Sequence, residues 1–399
     1  MVKFSFIVPV FNRPDEVDEL LRSMCQQTLK DFEVIIVEDG SKNPCKEVCD
    51  KYAGTLDLHY YYKENSGPGQ SRNYGAERAQ GEWLIVLDSD VVLPNDYLAA
   101  VDDSLECIVD SYDYHAGTAP DSCEGLNLQG NHNYPLSTIH CDAWGGPDAA
   151  HPDFTPVQKA ISYSMTSFFT TGGIRGGSSP LRGDKRGALD KFYPRSYNMG
   201  IRREVYHELG GFSKMRFGED IDFSYRIVEA GYKTALLPEA WVWHKRRTDF
   251  KKFFRQVYNS GIARINLEKR HPGTLKLVHL LPTVFTLGVI GLLLLFLLGV
   301  ALYCTGEWLD ANGLRPTDNM HQGVGFVLCV LALIPIILYS GIIFIDSAIR
   351  NRSLWVGLLS IPAAFTQLMG YGLGFIESWW KRCVLKQDEF QAFEKNFYS

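Results

Sequence analysis

Along the first hundred positions, apolar residues come in short runs separated by amphipathic stretches and polar turns. Lys3–Val10 alternates into Phe6-Ile7-Val8-Pro9-Val10 and predicts a first strand. Phe11-Asn12-Arg13-Pro14 is a turn, and Pro14 or Asp15 opens a helix with Val17, Leu20, Leu21 and Met24 on one face. Phe32–Val37 is a second strand that runs into Glu38-Asp39-Gly40-Ser41, and a helix follows from about Pro44 to Tyr52. Leu58–Tyr62 is a third strand, after which Gly67-Pro68-Gly69 leads into a polar helix, Gln70–Ala79. Trp83–Leu87 is the next strand, a short, wholly apolar run of the kind that is buried in a parallel sheet. Strand and helix alternate throughout, which predicts a parallel α/β sheet.

Trp83–Leu87 runs straight into Asp88-Ser89-Asp90. A parallel strand delivers its last residues to the carboxyl edge of the sheet, where open α/β folds bind ligands. Strand side chains repeat every two residues, so both carboxylates are expected on one side. Held that close they repel unless something positive lies between them. Oxygen ligands favour Mg2+ or Mn2+. Taken alone, the motif fits a polar turn equally well. Asn12-Arg13 and Glu38-Asp39-Gly40-Ser41 end other strands in the same way, and a nucleotide fits that edge: Asp39 can accept a base N–H, and Gly40 lets the backbone approach. Asn65–Asn73 places a glycine turn before a helix carrying Arg72, which suits a diphosphate. Neither G-x-G-x-x-G nor a Walker-type loop is present, which argues against a dinucleotide or P-loop enzyme.

Residues 103–197 are polar and rich in Gly, Ser and Pro. Trp144-Gly145-Gly146-Pro147 and Thr170–Gly177 read there as shaped loops of an acceptor-side insert. Tyr197–Ile201 is a strand and Arg203–Leu209 a helix. In Gly218-Glu219-Asp220-Ile221-Asp222-Phe223, Asp220 falls in the first turn of a helix, where its role is either capping or chemistry. Val242-Trp243-His244 ends this region, with His244 placed to add a nitrogen to an oxygen-ligand metal site.

Hydropathy then changes character. Leu280–Tyr303, Gly323–Ile345 and Leu354–Ile376 carry no charge, and each exceeds the ~20 residues that a membrane-crossing helix needs. Asp249–Leu267 is amphipathic, with Phe250, Phe253, Phe254, Val257, Tyr258, Ile262 and Ile265 in one stripe, the pattern of a helix in the membrane interface. Basic residues are dense from Lys245 to Arg270, whereas Arg315 alone is basic between the first two stretches. The positive-inside rule then predicts a multi-pass protein of the inner (plasma) membrane with its N-terminal α/β region in the cytoplasm. Three full spans would leave Lys381, Arg382 and Lys386 outside, so the third segment, which contains Pro362, is either a span or re-entrant. Met1–Ser5 enters a strand at once and predicts no cleaved signal peptide. The chain has 399 residues, 22% charged residues and a net charge of −6, which gives no indication of a nucleic-acid partner. Its nine cysteines match neither a zinc pattern nor a disulfide framework.

Residues 3–104 and 196–246 resemble the family 2 glycosyltransferases, which have the GT-A fold. The resemblance lies in Ile7–Asn12, Glu38–Ser41, Gly67–Asn73, Asp88-Ser89-Asp90 and the run from Gly211-Phe212 to Gly218-Glu219-Asp220. It implies an inverting transferase that uses a nucleotide-diphosphate sugar and a divalent metal, Mg2+ or Mn2+. Asp39 then contacts the base, usually uracil; Asp88 the ribose or metal-bound phosphate; Asp90 the metal, with His244 at the metal or diphosphate. Pro9, Phe11, Asn12, Gly67 and Arg72 line the nucleotide sugar. Asp220 is the expected general base, with Glu219 as the alternative. Glu38 stands where many members have Asp, which loosens the inference of uracil. The helix at Arg255–Arg264 lacks the Gln-x-x-Arg-Trp motif of processive synthases, which argues against processive synthesis.

The expected organisation is a GT-A catalytic domain over 1–246 with 103–197 as insert, an interfacial helix and linker over 247–279, transmembrane helices over 280–382, and a tail over 383–399. A membrane-bound transferase suggests membrane lipids as partners and a lipid-linked acceptor, either a glycan hydroxyl or a polyprenyl phosphate. The rival of another class is a non-catalytic membrane protein that senses a nucleotide sugar or scaffolds an assembly.

Overall fold

A computed structural model describes residues 2–110, 141–151, 153–172, 192–215, 217–245, 247–311 and 320–389. Gly173–Gly177, Arg315, much of the insert and the end of the tail lie outside the described residues. In chain order the first elements are β1 (Phe4–Val10), α1 (Pro14–Cys25), β2 (Phe32–Asp39), α2 (Lys46–Tyr52), β3 (Asp57–Lys63) and α3 (Pro68–Ala76). Next come β4 (Trp83–Leu87), β5 (Val91–Val92), α4 (Tyr97–Asp110), β6 (Ala143–Gly145), β7 (Asp148–Ala149), α5 (Pro156–Thr166) and α6 (Phe168–Thr171). Then follow β8 (Asn198–Arg202), α7 (Arg203–Glu208), α8 (Glu219–Glu229), β9 (Thr234–Leu236) and β10 (Val242–His244). Four long helices close the described chain: α9 (Phe250–Arg270), α10 (Leu281–Ala311), α11 (Met320–Asn351) and α12 (Leu354–Trp379).

The chain divides into two compact units. The first carries a seven-stranded sheet in the order β3-β2-β1-β4-β8-β6-β9. Its β1, β2, β3 and β4 are mutually parallel, and β8 alone runs antiparallel to both neighbours. Side chains of β4 alternate between two cores. Trp83, Ile85 and Leu87 join Leu20, Leu21 and Leu98 from α1 and α4. Leu84 and Val86 join Ala76, Val205, Phe223 and Ile227 from α3, α7 and α8. All five residues of β4 are buried, which explains why its sequence is continuously apolar. Burying each such side chain contributes roughly 1.5–3 kcal/mol. This mostly parallel sheet with helices on both faces is the expected fold class.

Trp144-Gly145, read from sequence as part of a loop, belongs to β6. Trp144 is fully buried, and its ring fills the place a side chain would take at residue 200: a Cβ on Gly200 would lie 2.0 Å from Trp144 Cε2. A three-residue strand leaves too short a pattern to be recognised in the sequence. A second sheet has the order β5-β10-β7, with β10 antiparallel to β5 and parallel to β7.

The second unit takes in residues from 153 to 172 as well as the C-terminal helices. Expected as part of the catalytic domain's insert, α5 and α6 instead pack among α9, α11 and α12. Ile161 and Met165 meet Phe253 and Val257 of α9, and Ala160 meets Val356 and Ala363 of α12. Much of the α9 apolar stripe, read as membrane-facing, is therefore covered by protein. α9 also lies tightly along α12: a Cβ on Gly374 would come 2.1 Å from the Tyr258 carbonyl oxygen. Among the described residues, three helices are long and apolar enough to cross a membrane. The third is one continuous helix through Pro362, and half of its most apolar window is buried inside the protein, against 11% for the other two.

Candidate active site

The residues expected to form a site gather at the carboxyl edge of the parallel strands. Pro9 lies near the end of β1, and Phe11 and Asn12 follow it. Asn12 adopts a left-handed φ of 53°. Its backbone N–H donates to Ser41 Oγ at 2.7 Å, and its Oδ1 accepts from the N–H groups of Lys42 and Asn43 at 2.8 and 3.0 Å. Asn12 thus pins the loop after β2. From below, Glu38 holds the same loop by accepting from Ser41 Oγ and, at 2.7 Å, from the Cys45 N–H.

Asp39 ends β2 and is buried. Its Oδ1 accepts from the Ser66 N–H and its Oδ2 from the Gly67 N–H, both at 2.9 Å. Lys63, its register partner on β3, forms an ion pair with the same carboxylate. The residue expected to meet a base also shapes the turn before α3. Gly67 has a φ of +91° there, a region open to glycine at little cost.

Arg72 lies on α3 and is almost wholly buried, its side chain 4% exposed. Its Nη2 donates to Asp88 Oδ1 at 2.8 Å and its Nη1 to Glu219 Oε1 at 3.2 Å, while the guanidinium stacks 5.1 Å from the Phe212 ring. Asn73, the next residue, clasps the backbone of Phe212: its Nδ2 donates to the carbonyl and its Oδ1 accepts from the N–H, both at 2.8 Å. These two adjacent side chains join the early and late parts of the sheet-bearing unit.

Asp88 and Asp90 do not continue the alternation of β4, which ends at Leu87. The chain turns at Ser89-Asp90, so the two carboxylates find different partners. Asp88 faces Arg72, whereas Asp90 pairs with Arg13 and lies 3.4 Å from His244 Nε2. Strand register brings His244 there, because it pairs with Val91 across β10 and β5, and the Lys245 N–H donates to the Asp90 carbonyl at 3.0 Å. Asp148 on β7 lies 3.6 Å from His244 Nδ1, and Tyr197 stacks on the imidazole at 5.2 Å.

Ligand atoms of Asp88, Asp90 and His244 all lie within 4.8 Å of one another. Two carboxylates and an imidazole form a hard, oxygen-rich donor set that fits Mg2+ or Mn2+.

Glu219 and Asp220 open α8 behind Gly218, whose φ is +84°. Glu219 is largely buried, and that burial pushes its carboxyl up to about 7, with Arg72 opposing the shift and Asp220 adding to it. Asp220 is more open, its side chain 24% exposed, with Arg195 Nη1 at 3.6 Å. Of the two acids, Asp220 is the one free of the Arg72 pair and reachable from outside. Arg13 was visible in the sequence as one of the strand-end polar residues, and Asp148 follows the Trp144–Pro147 run. Lys63 and Arg195 carry no local signal, since only the fold brings them to Asp39 and Asp220.

A profile described as glycosyl transferase family 2 matches residues 5–106, and one described as glycosyl transferase family group 2 matches residues 196–346. An uncharacterized glycosyltransferase of Haemophilus influenzae is 44% identical over 227 residues, which is 56% of this chain and 62% of that protein. A poly(ribitol-phosphate) beta-N-acetylglucosaminyltransferase of Staphylococcus aureus is 37% identical over 94 residues, 23% of this chain and 16% of that one. The chain thus covers less than two thirds of either relative's length. Among solved structures, a mannosyltransferase from Pyrobaculum calidifontis in complex with GDP-Man and Mn2+ aligns with a TM-score of 0.46 at 15% identity, over 95% of this chain and 88% of that one.

Proposed function

This chain is a family 2 glycosyltransferase over its two matched segments, and we propose that it transfers a sugar from a nucleotide-diphosphate sugar, a UDP-sugar, to a hydroxyl of a membrane-associated, lipid-linked glycan acceptor. The observation that carries this reading is the convergence of Asp88, Asp90 and His244 within 4.8 Å, beside a helix that opens with Glu219 and Asp220.

In the proposed reaction Asp220 accepts the proton of the acceptor hydroxyl. The hydroxyl oxygen forms a bond to the anomeric carbon as the bond from that carbon to the diphosphate oxygen breaks. Attack from the face opposite the leaving group inverts the configuration. A divalent ion held by Asp88, Asp90 and His244 would supply charge neutralisation to the departing diphosphate. Asp39 and the backbone around Gly67 shape the nucleoside end, with Pro9, Phe11 and Asn12 on the neighbouring loop. Arg72 keeps Asp88 and Glu219 in place.

Three apolar helices and the basic residues before the first of them support a multi-pass protein of the inner membrane with its sheet-bearing unit in the cytoplasm. A hydroxyl acceptor is favoured over a polyprenyl phosphate because an ionised phosphate needs no base, and the partly exposed carboxylate of Asp220 at the start of α8 supports a reaction that uses one. The S. aureus relative, named as a poly(ribitol-phosphate) beta-N-acetylglucosaminyltransferase, also supports a hydroxyl acceptor. The test is a panel of radiolabelled nucleotide sugars with membrane lipids as acceptors. Metal-dependent release of nucleoside diphosphate together with label in a glycolipid supports the reading. Nucleotide-sugar binding without turnover of any donor would point instead to a sensor or scaffold.

A further inference from the structure

Nothing in the composition of α5 and α6 marks them for a membrane, since Gln158, Lys159 and several hydroxyl residues lie among them. Their neighbours do. Tyr163 donates its hydroxyl to Asp346 Oδ2 at 2.7 Å, Arg350 holds the other oxygen of that carboxylate at 2.8 Å, and the Arg350 guanidinium lies 5.9 Å from the centre of the Tyr163 ring. These charges mark one polar end of α11. Further along α11, Tyr339 donates its hydroxyl to the Phe169 carbonyl at 3.2 Å. From Asp346 back to Tyr339 the helix covers about 10 Å. Tyr339 lies inside the apolar stretch: its ring meets Phe285 of α10 at 5.1 Å and Phe365 of α12 at 5.7 Å. At the end of α6, a Cβ on Gly172 would lie 2.8 Å from Val278 and 3.6 Å from Leu281. The chain between Tyr163 and Phe169 therefore descends from the charged end of α11 to a depth where rings of all three apolar helices meet.

Polarity along this segment is arranged for an apolar solvent. Ser164 Oγ donates to the Ile161 carbonyl at 2.8 Å, Thr170 Oγ1 to the Ser167 carbonyl at 3.0 Å and Thr171 Oγ1 to the same carbonyl at 2.8 Å. Ser164, Ser167 and Thr170 are buried. Pointing outward are Phe168, 66% exposed, and Phe169, with Leu277 and Leu281 on the adjoining turn. Hydroxyls satisfied within the segment and bare rings outside are what a lipid environment selects and water does not. The patch continues into the outward-facing Val284 and Leu287 of α10.

We propose that α5–α6 is a re-entrant element seated within one membrane leaflet, with Phe168 and Phe169 against lipid acyl chains. The inference rests on the reading of α10, α11 and α12 as membrane spans and adds a fourth membrane-contacting segment to them. To test it, p-benzoylphenylalanine is placed at residue 168 of the full chain in phospholipid membranes. The same probe at residue 337, on the exposed face of α11, serves as reference. After irradiation, intact-mass measurement is expected to show an increase of one phospholipid at both positions. Lipid at 337 without lipid at 168 overturns the inference and leaves the spans standing. A protein adduct at 168 in place of lipid overturns it as well. Lipid at neither position overturns the span reading and the inference with it.

Discussion

Arg72 Nη1 lies 3.2 Å from Glu219 Oε1, a contact between residues 147 positions apart. The guanidinium spends its other end on Asp88, so one buried cation is shared by an early carboxylate and a late one. Removing one partner of a buried ion pair leaves an uncompensated charge, which costs about 3–5 kcal/mol. Arg72→Ala is expected to lower stability by that amount, read as a shift in the unfolding midpoint of the detergent-solubilised protein. Arg72→Lys is expected to recover only part, because a point charge cannot reach both acids as a planar fork does. A wild-type midpoint in Arg72→Ala would refute the shared-cation arrangement.

Asp220 is expected to behave as the base. Asp220→Asn should reduce transfer by about 10²–10⁴-fold, the usual contribution of general base catalysis. Nucleotide-sugar affinity, measured by calorimetry, should stay near wild type. Full turnover in this variant would sink the assignment.

Glu219 gives a pH signature of its own. Burial raises its carboxyl from 4.5 to about 7, so the folded state holds a proton that the unfolded chain has released. The stability it contributes is complete below 4.5 and is lost as pH rises from 4.5 through about 7. Thermal unfolding midpoints of wild type and Glu219→Gln over this interval should diverge, the wild type falling relative to the variant with rising pH. Parallel profiles would place the ordinary carboxylate value at Glu219.

Asp148 lies behind His244, 3.6 Å from Nδ1. Partners of this kind orient a ligating imidazole, and losing one costs about 10–100-fold in metal affinity. Asp148→Asn should weaken Mn2+ binding on that scale, measured by electron paramagnetic resonance titration, while Asp90→Asn should weaken it further. Chelation with EDTA should stop nucleoside diphosphate release, and added Mn2+ should restore it. Mn2+ binding unchanged in both variants would remove His244 and Asp90 from the metal site.

Gly374 has no room for a side chain against Tyr258 of α9. Overpacking at such a contact costs about 1–3 kcal/mol. Gly374→Ala should lower the unfolding midpoint and open α9 to protease, whereas Gly288→Ala, where a Cβ meets nothing, should do neither.

The parallel half of the sheet was legible because β1, β2 and β4 are largely apolar, buried runs followed by polar turns, and β3 is a tyrosine-rich run between polar turns. Asp39, Arg72, Asp88 and Asp220 stood out because a strand end or helix start lies next to each of them. β6 and β7 were not legible: at three and two residues they are shorter than any period that could reveal them. The same holds for the different partners of Asp88 and Asp90, Arg72 for the first and Arg13 with His244 for the second, since strand alternation could not foretell that β4 stops at Leu87. The place of α5–α6 was hidden for another reason. Its apolar residues face two ways, toward α9 and α12 inside and outward at Phe168 and Phe169, so no single face emerges from the pattern.

The pairing of β10 with β5 sets an order of assembly. Asp88 and Asp90 leave the ribosome early, on a parallel half-sheet whose strands are nearly consecutive in the chain. His244 emerges only after β6, β8 and β9 have been made, and it reaches Asp90 through the pairing of β10 with β5. A nascent chain that stops short of β10 therefore carries the carboxylates without the imidazole. The three-ligand cluster cannot exist until the last strand of the sheet-bearing unit docks, which ties the birth of the site to completion of that unit's fold.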